Sequence, residues 1–170
     1  ESPFLPNSPY SASKAGGDHL VRAYHHTYGL PVLSVHSCNV FGPYQFPEKI
    51  IPLFTTNLIQ GKKVPVYGTG ENVREWIFTQ DYCRALDLVW HQGKPGEVFN
   101  IGTGQRISNL ELTTKILHLL EKGPDQIEHV ADRLGHDFRY ALSAKKIRAM
   151  GWKPENDFDS ALKTTVEWYK

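Results

Sequence analysis

Alternation between helical and extended patterns is the feature that most restricts the fold of this chain. Apolar residues recur with helical spacing over 9–28, 49–60 and 81–92, again behind Ser108, and in two shorter stretches over 144–150 and 158–169. Between them 32–35, 64–67, 74–78 and 97–101 read as short strands rich in β-branched and aromatic residues. Strands separated by helices pair in parallel through crossover connections, so the pattern predicts an α/β fold with at least part of a parallel sheet. The stretch 39–43 is expected to break regular structure where a strand ends, and ligands bind beyond strand ends in such sheets. Ser108-Asn109-Leu110-Glu111 carries the capping-box pattern that opens a helix.

The first helix has the most chemistry in it. Ser8 suits the N-cap and Pro9 the first helical position, where no N–H is needed. The i,i+4 spacing then stacks Lys14 one turn above Tyr10. A phenol ionises near pH ~10, and keeping one ionised at neutral pH takes roughly 4 kcal/mol, which a neighbouring cation can supply. Small residues on one face of this helix (Ala12, Ala15, Gly16, His19, Ala23 and Thr27) invite close packing, and Gly29 closes it. Gly16-Gly17 costs about 1 kcal/mol per residue in a helix interior, which is best offset by a close helix partner.

Composition narrows the partners. Over 170 residues, 19 basic and 18 acidic side chains leave a net charge of +1, so nothing points to nucleic acid or to an acidic membrane surface. No apolar run approaches a membrane span. Cys38 and Cys83 have neither metal nor redox spacing and read as reduced, buried thiols, which fits a cytoplasmic protein. The histidines lack metal-ligand spacing, so no metal is expected. Glu1, with no methionine before it, is expected to open partway through a longer protein.

Tyr10-x-x-x-Lys14 followed by Asn39-x-Phe41-Gly42-Pro43 resembles the extended short-chain dehydrogenase/reductase superfamily. The segments 42–52, 64–68, Arg74-Glu75-Trp76, Phe99-Asn100-Ile101-Gly102 and Asp132-Arg133-Leu134-Gly135-His136-Asp137-x-Arg139-Tyr140 are similar, in order and spacing, to the dTDP-glucose 4,6-dehydratase family. Gly151-Trp152-Lys153-Pro154 and 165–169 agree with it.

The resemblance implies the C-terminal part of a Rossmann-type parallel sheet plus a smaller α/β sugar-nucleotide-binding domain. Residues 1–40 and 79–103 would belong to the former, and 41–78 and 104–170 to the latter. It implies an NAD-dependent lyase that converts dTDP-glucose to dTDP-4-keto-6-deoxyglucose in deoxysugar biosynthesis, with Tyr10 as base and Lys14 favouring its ionised form. Tyr10, Lys14, Ser37, Cys38 and Asn39 would meet the cofactor. Asn39, Glu48, Lys49, Pro65, Tyr67, Arg74, Asn100, Arg133 and His136 would meet the substrate, with Arg74 and Arg133 as forks for its diphosphate, Tyr67 stacked on thymine, and His136 hydrogen-bonded to substrate. The glycine-rich dinucleotide turn and an Asp-Glu catalytic pair would lie upstream of Glu1, leaving the chain alone inactive. The first helix would join a four-helix homodimer interface. Cys38 stands where Ser is frequent, and Val40-Phe41 where Asn-Tyr is frequent. The same scaffold also serves UDP-sugar 4-epimerases and UDP-glucose 4,6-dehydratases, and a non-catalytic sugar-nucleotide-binding module is the remaining alternative.

Overall fold

The computed structural model describes residues 3–170, so the reading of Glu1 lies outside it. Six helices and seven strands alternate along the described chain. They are α1 (Pro9–Tyr28), β1 (Ser34–Ser37), β2 (Asn39–Phe41), α2 (Ile50–Ile59), β3 (Val64–Tyr67), β4 (Val73–Phe78), α3 (Thr79–Gln92), β5 (Val98–Ile101), β6 (Arg106–Ser108), α4 (Asn109–Leu119), β7 (Ile127–Val130), α5 (Lys145–Ala149) and α6 (Phe158–Tyr169). The expected α/β class with parallel pairing holds: β1 pairs with β5, β2 with β4, and β3 with β7, all in parallel. Short β6 runs antiparallel on the other side of β4.

Caps set the helix limits. The Ser8 side chain accepts the Ser11 N–H, and Gly29 closes α1 at φ 68°, a conformation that glycine adopts without steric cost. Ser108 accepts the Glu111 N–H at 3.0 Å to open α4, and Asp157 accepts the Ser160 N–H at 2.9 Å to open α6.

Two apolar clusters share strand β4. Trp76 and Phe78 pack with Phe41, Phe54, Leu112 and Leu162 on one side. Ile77 packs with Phe99, Ile101, Ala85, Ile147 and Trp152 on the other. Alternating side chains thus make β4 a wall between two cores, and both of its faces are covered, as a central strand requires.

Three expectations needed correction. First, 39–43 does not break regular structure at once, because Asn39–Phe41 pairs with Trp76–Phe78 as β2. Secondly, the first strand lies two residues later than its apolar run. Leu30 and Val32 are engaged in turn hydrogen bonds, and pairing begins only at Ser34 opposite Val98. Thirdly, Cys83 is exposed, and only Cys38 of the two thiols is buried. Helix α1 turns Ser11, Ala15, Asp18 and His25 inward, none fully buried, while no described residue lies within 4 Å of a Cβ placed at Gly16 or Gly17.

Candidate functional site

Four of the expected substrate residues gather around the segment 131–140. This segment crosses the carboxyl ends of β3 and β7 and is held to β4 by the Val73 N–H donating to Phe138 O at 2.8 Å and by the Tyr140 N–H donating to Val73 O at 3.2 Å. The Arg133 guanidinium lies over the Tyr67 ring, 5.1 Å from its centroid. The His136 ring meets Tyr67 edge-on at 6.2 Å. His136 bridges Asp132 Oδ1, 2.6 Å from Nδ1, and an Arg133 η-nitrogen, 2.8 Å from Nε2. The imidazole side chain is only 5% exposed.

Arg74 stands beside this group in a different state. It is buried, stacks on the Tyr140 ring at 4.2 Å, and donates to Val73 O at 2.8 Å and to Asp137 O at 2.7 Å. Burial pulls its pKa down from the usual arginine range. Both η-nitrogens are therefore engaged with backbone carbonyls, so Arg74 supplies fixed positive charge and holds the loop, while exposed Arg133 is the more available fork. Tyr140 donates its hydroxyl to Asp137 Oδ2 at 2.8 Å, and burial first, then that carboxylate, pushes its pKa up. Pro65 lies two residues before Tyr67 on β3, and so on the same face of the strand.

Tyr10 and Lys14 stand together at the start of α1, with the ammonium 5.8 Å from the ring centroid and the ring 71% exposed. The two groups of residues meet at Gly135. Its φ is 66°, and a Cβ there would come within 3.1 Å of Asn7 O. The segment that enters the Ser8 cap thus touches the loop that carries Arg133 and His136.

Ser37, Cys38 and Asn39 lie where β1 gives way to β2, at the carboxyl end of the parallel β1–β5 pair. Ser37 is exposed, Asn39 half-buried, and the Cys38 N–H donates to Ile101 O at 3.1 Å. Burial, and then the charge of Glu75, push the Cys38 thiol up to about 12, so it is a packing residue with no thiolate chemistry near neutral pH. Asn100 sits opposite His36 across the pair. It lines a groove of about 960 Å³ between α1 and these strands, together with Asp18, His25, Val98 and Lys146. Glu48 and Lys49 pair with each other at 2.8 Å at the start of α2, and no hydrogen bond joins them to the Tyr67–His136 group among the described residues.

Sequence reasoning missed the carboxylates beneath this surface. Glu75 is fully buried on β4, where it accepts the Gly104 N–H at 2.9 Å, Arg106 Nε at 3.3 Å and the Leu142 N–H at 3.3 Å. Asp81, equally buried, accepts the Glu155 and Asn156 N–H groups at 2.9 and 3.2 Å and pairs with Arg84. A charged residue amid the apolar run of β4 was the available signal for Glu75. For Asp81 the local signs were only its place in the first turn of α3 and Arg84 one turn on; the backbone N–H groups it accepts lie more than 70 residues away. No group of three metal-ligating side chains is placed to hold an ion among the described residues.

Parallel strands flanked by helices, with polar side chains at their carboxyl ends, define an α/β protein of the Rossmann type. The GDP-mannose 4,6 dehydratase family model matches residues 1–165, and the chain belongs to that family. It is 52% identical to the low-salt glycan biosynthesis protein Agl12 of Haloferax volcanii over 99% of this chain and 54% of that protein. It is likewise 52% identical to a dTDP-glucose 4,6-dehydratase of Streptomyces niveus over 100% of this chain and 51% of the relative. The chain therefore spans about half the length of the curated relatives it matches. The structure of DesIV, a dTDP-glucose 4,6-dehydratase from Streptomyces venezuelae with NAD bound, superposes with a TM-score of 0.97 at 51% identity, over 99% of this chain and 53% of that one.

Proposed function

We propose that this chain supplies the sugar-nucleotide pocket and the Tyr10–Lys14 pair of an NAD-dependent dTDP-glucose 4,6-dehydratase, a lyase yielding dTDP-4-keto-6-deoxyglucose for deoxysugar biosynthesis. The observation that carries this reading is the contact at Gly135, where Asn7, just before the cap of the phenol–ammonium helix, approaches the loop bearing Arg133 and His136. That approach supports a site that draws its base from the one segment and its diphosphate cation from the other. The printed names of the Streptomyces relatives support the choice of reaction.

The residues fit a nicotinamide dinucleotide. An exposed phenol, an ammonium one helical turn away and the open Ser37–Asn39 edge all offer polar groups at the carboxyl end of a parallel pair. Tyr10, Lys14 and the Ser37–Asn39 edge would hold NAD, which would supply the hydride chemistry of the reaction when bound. Tyr10 removes the C4 hydroxyl proton, with the Lys14 ammonium beside its ring. Arg133 holds the diphosphate, Arg74 adds fixed positive charge, and Tyr67 stacks on thymine. Asn39 and Asn100 hydrogen-bond phosphate or ribose oxygens, His136 meets the substrate beside Arg133, and Glu48, Lys49 and Pro65 border the nucleotide and sugar.

The Rossmann-type unit would comprise 1–40 and 79–103, and the substrate unit 41–78 and 104–170, with β4 between the two cores. Segment 144–152 packs on the former, since Ala144, Ile147 and Trp152 join Ile101. The open Gly16-Gly17 face of α1 supports a homodimer through that helix. No described helix is long and apolar enough to cross a membrane, and both cysteines are free. We assign the activity to the cytoplasm.

The test is to join the chain to the N-terminal half of the Streptomyces niveus relative and to follow dTDP-glucose by mass spectrometry. Loss of one water is the expected outcome. Tyr10→Phe should lower turnover by on the order of 10²- to 10⁴-fold while dTDP affinity stays within a few-fold. A product of unchanged mass, or faster turnover of UDP-glucose, would overturn the assignment in favour of an epimerase or a UDP-sugar dehydratase.

A further inference from the structure

We propose that Asp132 is a positioning residue, fixing His136 with Nε2 as an acceptor and through it aiming the Arg133 guanidinium at an anionic ligand. The inference rests on the reading of this loop as the diphosphate-binding part of the site. It adds a residue to which that reading gives no role.

Hydrogen-bond chemistry determines the direction of the chain of contacts. A guanidinium can only donate, so at 2.8 Å from Arg133 the His136 Nε2 must be the acceptor. An ionised carboxylate can only accept, so at 2.6 Å from Asp132 Oδ1 the Nδ1 must carry the proton. Each end of the imidazole is thereby assigned, and the neutral Nδ1–H tautomer is the only one that satisfies both neighbours. Asp132 Oδ1 also accepts the Arg133 backbone N–H at 2.7 Å, so one oxygen fixes both the main chain of Arg133 and the ring that receives its side chain. These bonds hold the Asp132 carboxyl below the usual carboxylate range, the His136 contact contributing most.

The base of this arrangement is itself anchored. The Asp132 side chain lies over Gly68, where a Cβ would approach Oδ2 to 3.4 Å. The Gly68 N–H donates to Val130 O at 2.9 Å, and Gly68 O lies 2.7 Å from His129 Nδ1. The turn after β3 and the end of β7 therefore form the floor on which the carboxylate sits. Tyr67, the last residue of β3, receives both the Arg133 guanidinium and the edge of the His136 ring. Arg133 is thus constrained on one side by an aromatic face and on another by Nε2, while the residue stays exposed. A fork held this way meets a phosphate with less ordering cost than a free surface arginine.

Without the carboxylate the Nδ1–H loses its acceptor and the Nε2–H tautomer competes. A proton on Nε2 then points at an Arg133 N–H, donor against donor, and the guanidinium leaves its position. Asp132→Ala should weaken dTDP binding about tenfold, the effect of one lost charge-assisted hydrogen bond. Thymidine, which lacks the diphosphate, should bind within twofold of the unaltered chain. Asp132→Asn keeps an acceptor oxygen for Nδ1–H and should stay within about threefold for dTDP.

Calorimetry with dTDP and thymidine, together with ¹⁵N spectra of the His136 ring in the ligand-free chain, tests the proposal. The spectra should show Nδ1–H in the unaltered chain and in Asp132→Asn, and a shift towards Nε2–H in Asp132→Ala. Equal losses for dTDP and thymidine, or an unaltered ring tautomer in Asp132→Ala, would overturn it. Failure of the unaltered chain to bind dTDP sinks the reading of the site instead, and the ring tautomer then decides on the Asp132–His136–Arg133 relay by itself.

Discussion

Removing the Glu75 carboxylate should be among the most destabilising single changes to the chain, and the structure gives the order of related variants. Glu75 is fully buried and accepts two backbone N–H groups, from Gly104 and Leu142, as well as Arg106 Nε. In Glu75→Ala the N–H groups of half-buried Leu142 and of exposed Gly104 lose their acceptor, whereas Arg106, 43% exposed, can turn to water. A stranded buried donor costs about 1–3 kcal/mol and a more accessible one less, so the loss should be about 2–4 kcal/mol. Glu75→Gln can flip so that its carbonyl serves Arg106 and Leu142, which leaves only the Gly104 N–H facing an amide donor and costs about 1–3 kcal/mol. Arg106→Ala removes a half-exposed partner and should cost about 1 kcal/mol or less. Urea unfolding followed by tryptophan fluorescence measures all three, with Trp76 beside the site. An Arg106→Ala loss as large as that of Glu75→Ala would refute the argument, since the ion pair and not the backbone acceptors would then be the stabilising element. Gly102 provides a second check, because a Cβ there would lie 2.3 Å from Glu75 Oε1. Gly102→Ala should therefore cost less in the Glu75→Ala background than in the parent.

Gly17→Ala should raise the thermal midpoint of the monomeric chain, since the added methyl meets nothing within 4 Å and an interior helical glycine costs about 1 kcal/mol relative to alanine. The same change should weaken self-association in sedimentation if a second copy packs on this face, and unchanged association would remove α1 from the interface. Iodoacetamide at pH 8 should modify exposed Cys83 and spare Cys38, whose thiol, pushed up to about 12, holds almost no thiolate at that pH. Comparable labelling of both in the native chain would contradict the burial.

The parts of the fold that could be read in advance are those with local causes. The limits of α1 follow from Ser8, Pro9 and Gly29, and those of α6 from the run behind Asp157, so both helices lie where caps and apolar spacing place them. Strand β3 was legible because Val64 and Val66 alternate with Pro65 and Tyr67. Strands β6 and β7 were not, because Arg106–Ser108 and Ile127–Val130 have no apolar alternation of their own. They are strands only because β4 and β3 offer them backbone partners. The inward face of α1 escaped notice for a related reason. Small residues advertise close packing, yet the helix approaches the body through polar contacts such as Asp18 with His36 at 2.9 Å. At the site, Tyr67, Arg133 and His136 stood out and do come together, whereas Glu48 and Lys49 stand apart and pair with each other. The roles of Asp132, Glu75 and Asp81 depend on which donors reach them through folding, and no spacing rule encodes that.

Strand β4 shows how chemistry and stability are kept on separate sides of one element. Arg74 and Glu75 are neighbours in sequence and therefore point to opposite faces. Arg74 holds the loop 137–140 and lends it positive charge, while Glu75 faces the other core and ties together residues 104, 106 and 142. Were the two on the same face, the carboxylate would neutralise the charge that an anionic ligand needs. Segregation lets each ion find its partners without the other. It also predicts that the two sites respond independently: substitutions at Glu75 should alter unfolding free energy far more than dTDP affinity, and those at Arg133 the reverse. Segment 137–142 touches both faces, Asp137 O accepting from Arg74 and the Leu142 N–H donating to Glu75, so any residual coupling has a path there as well as through β4 itself.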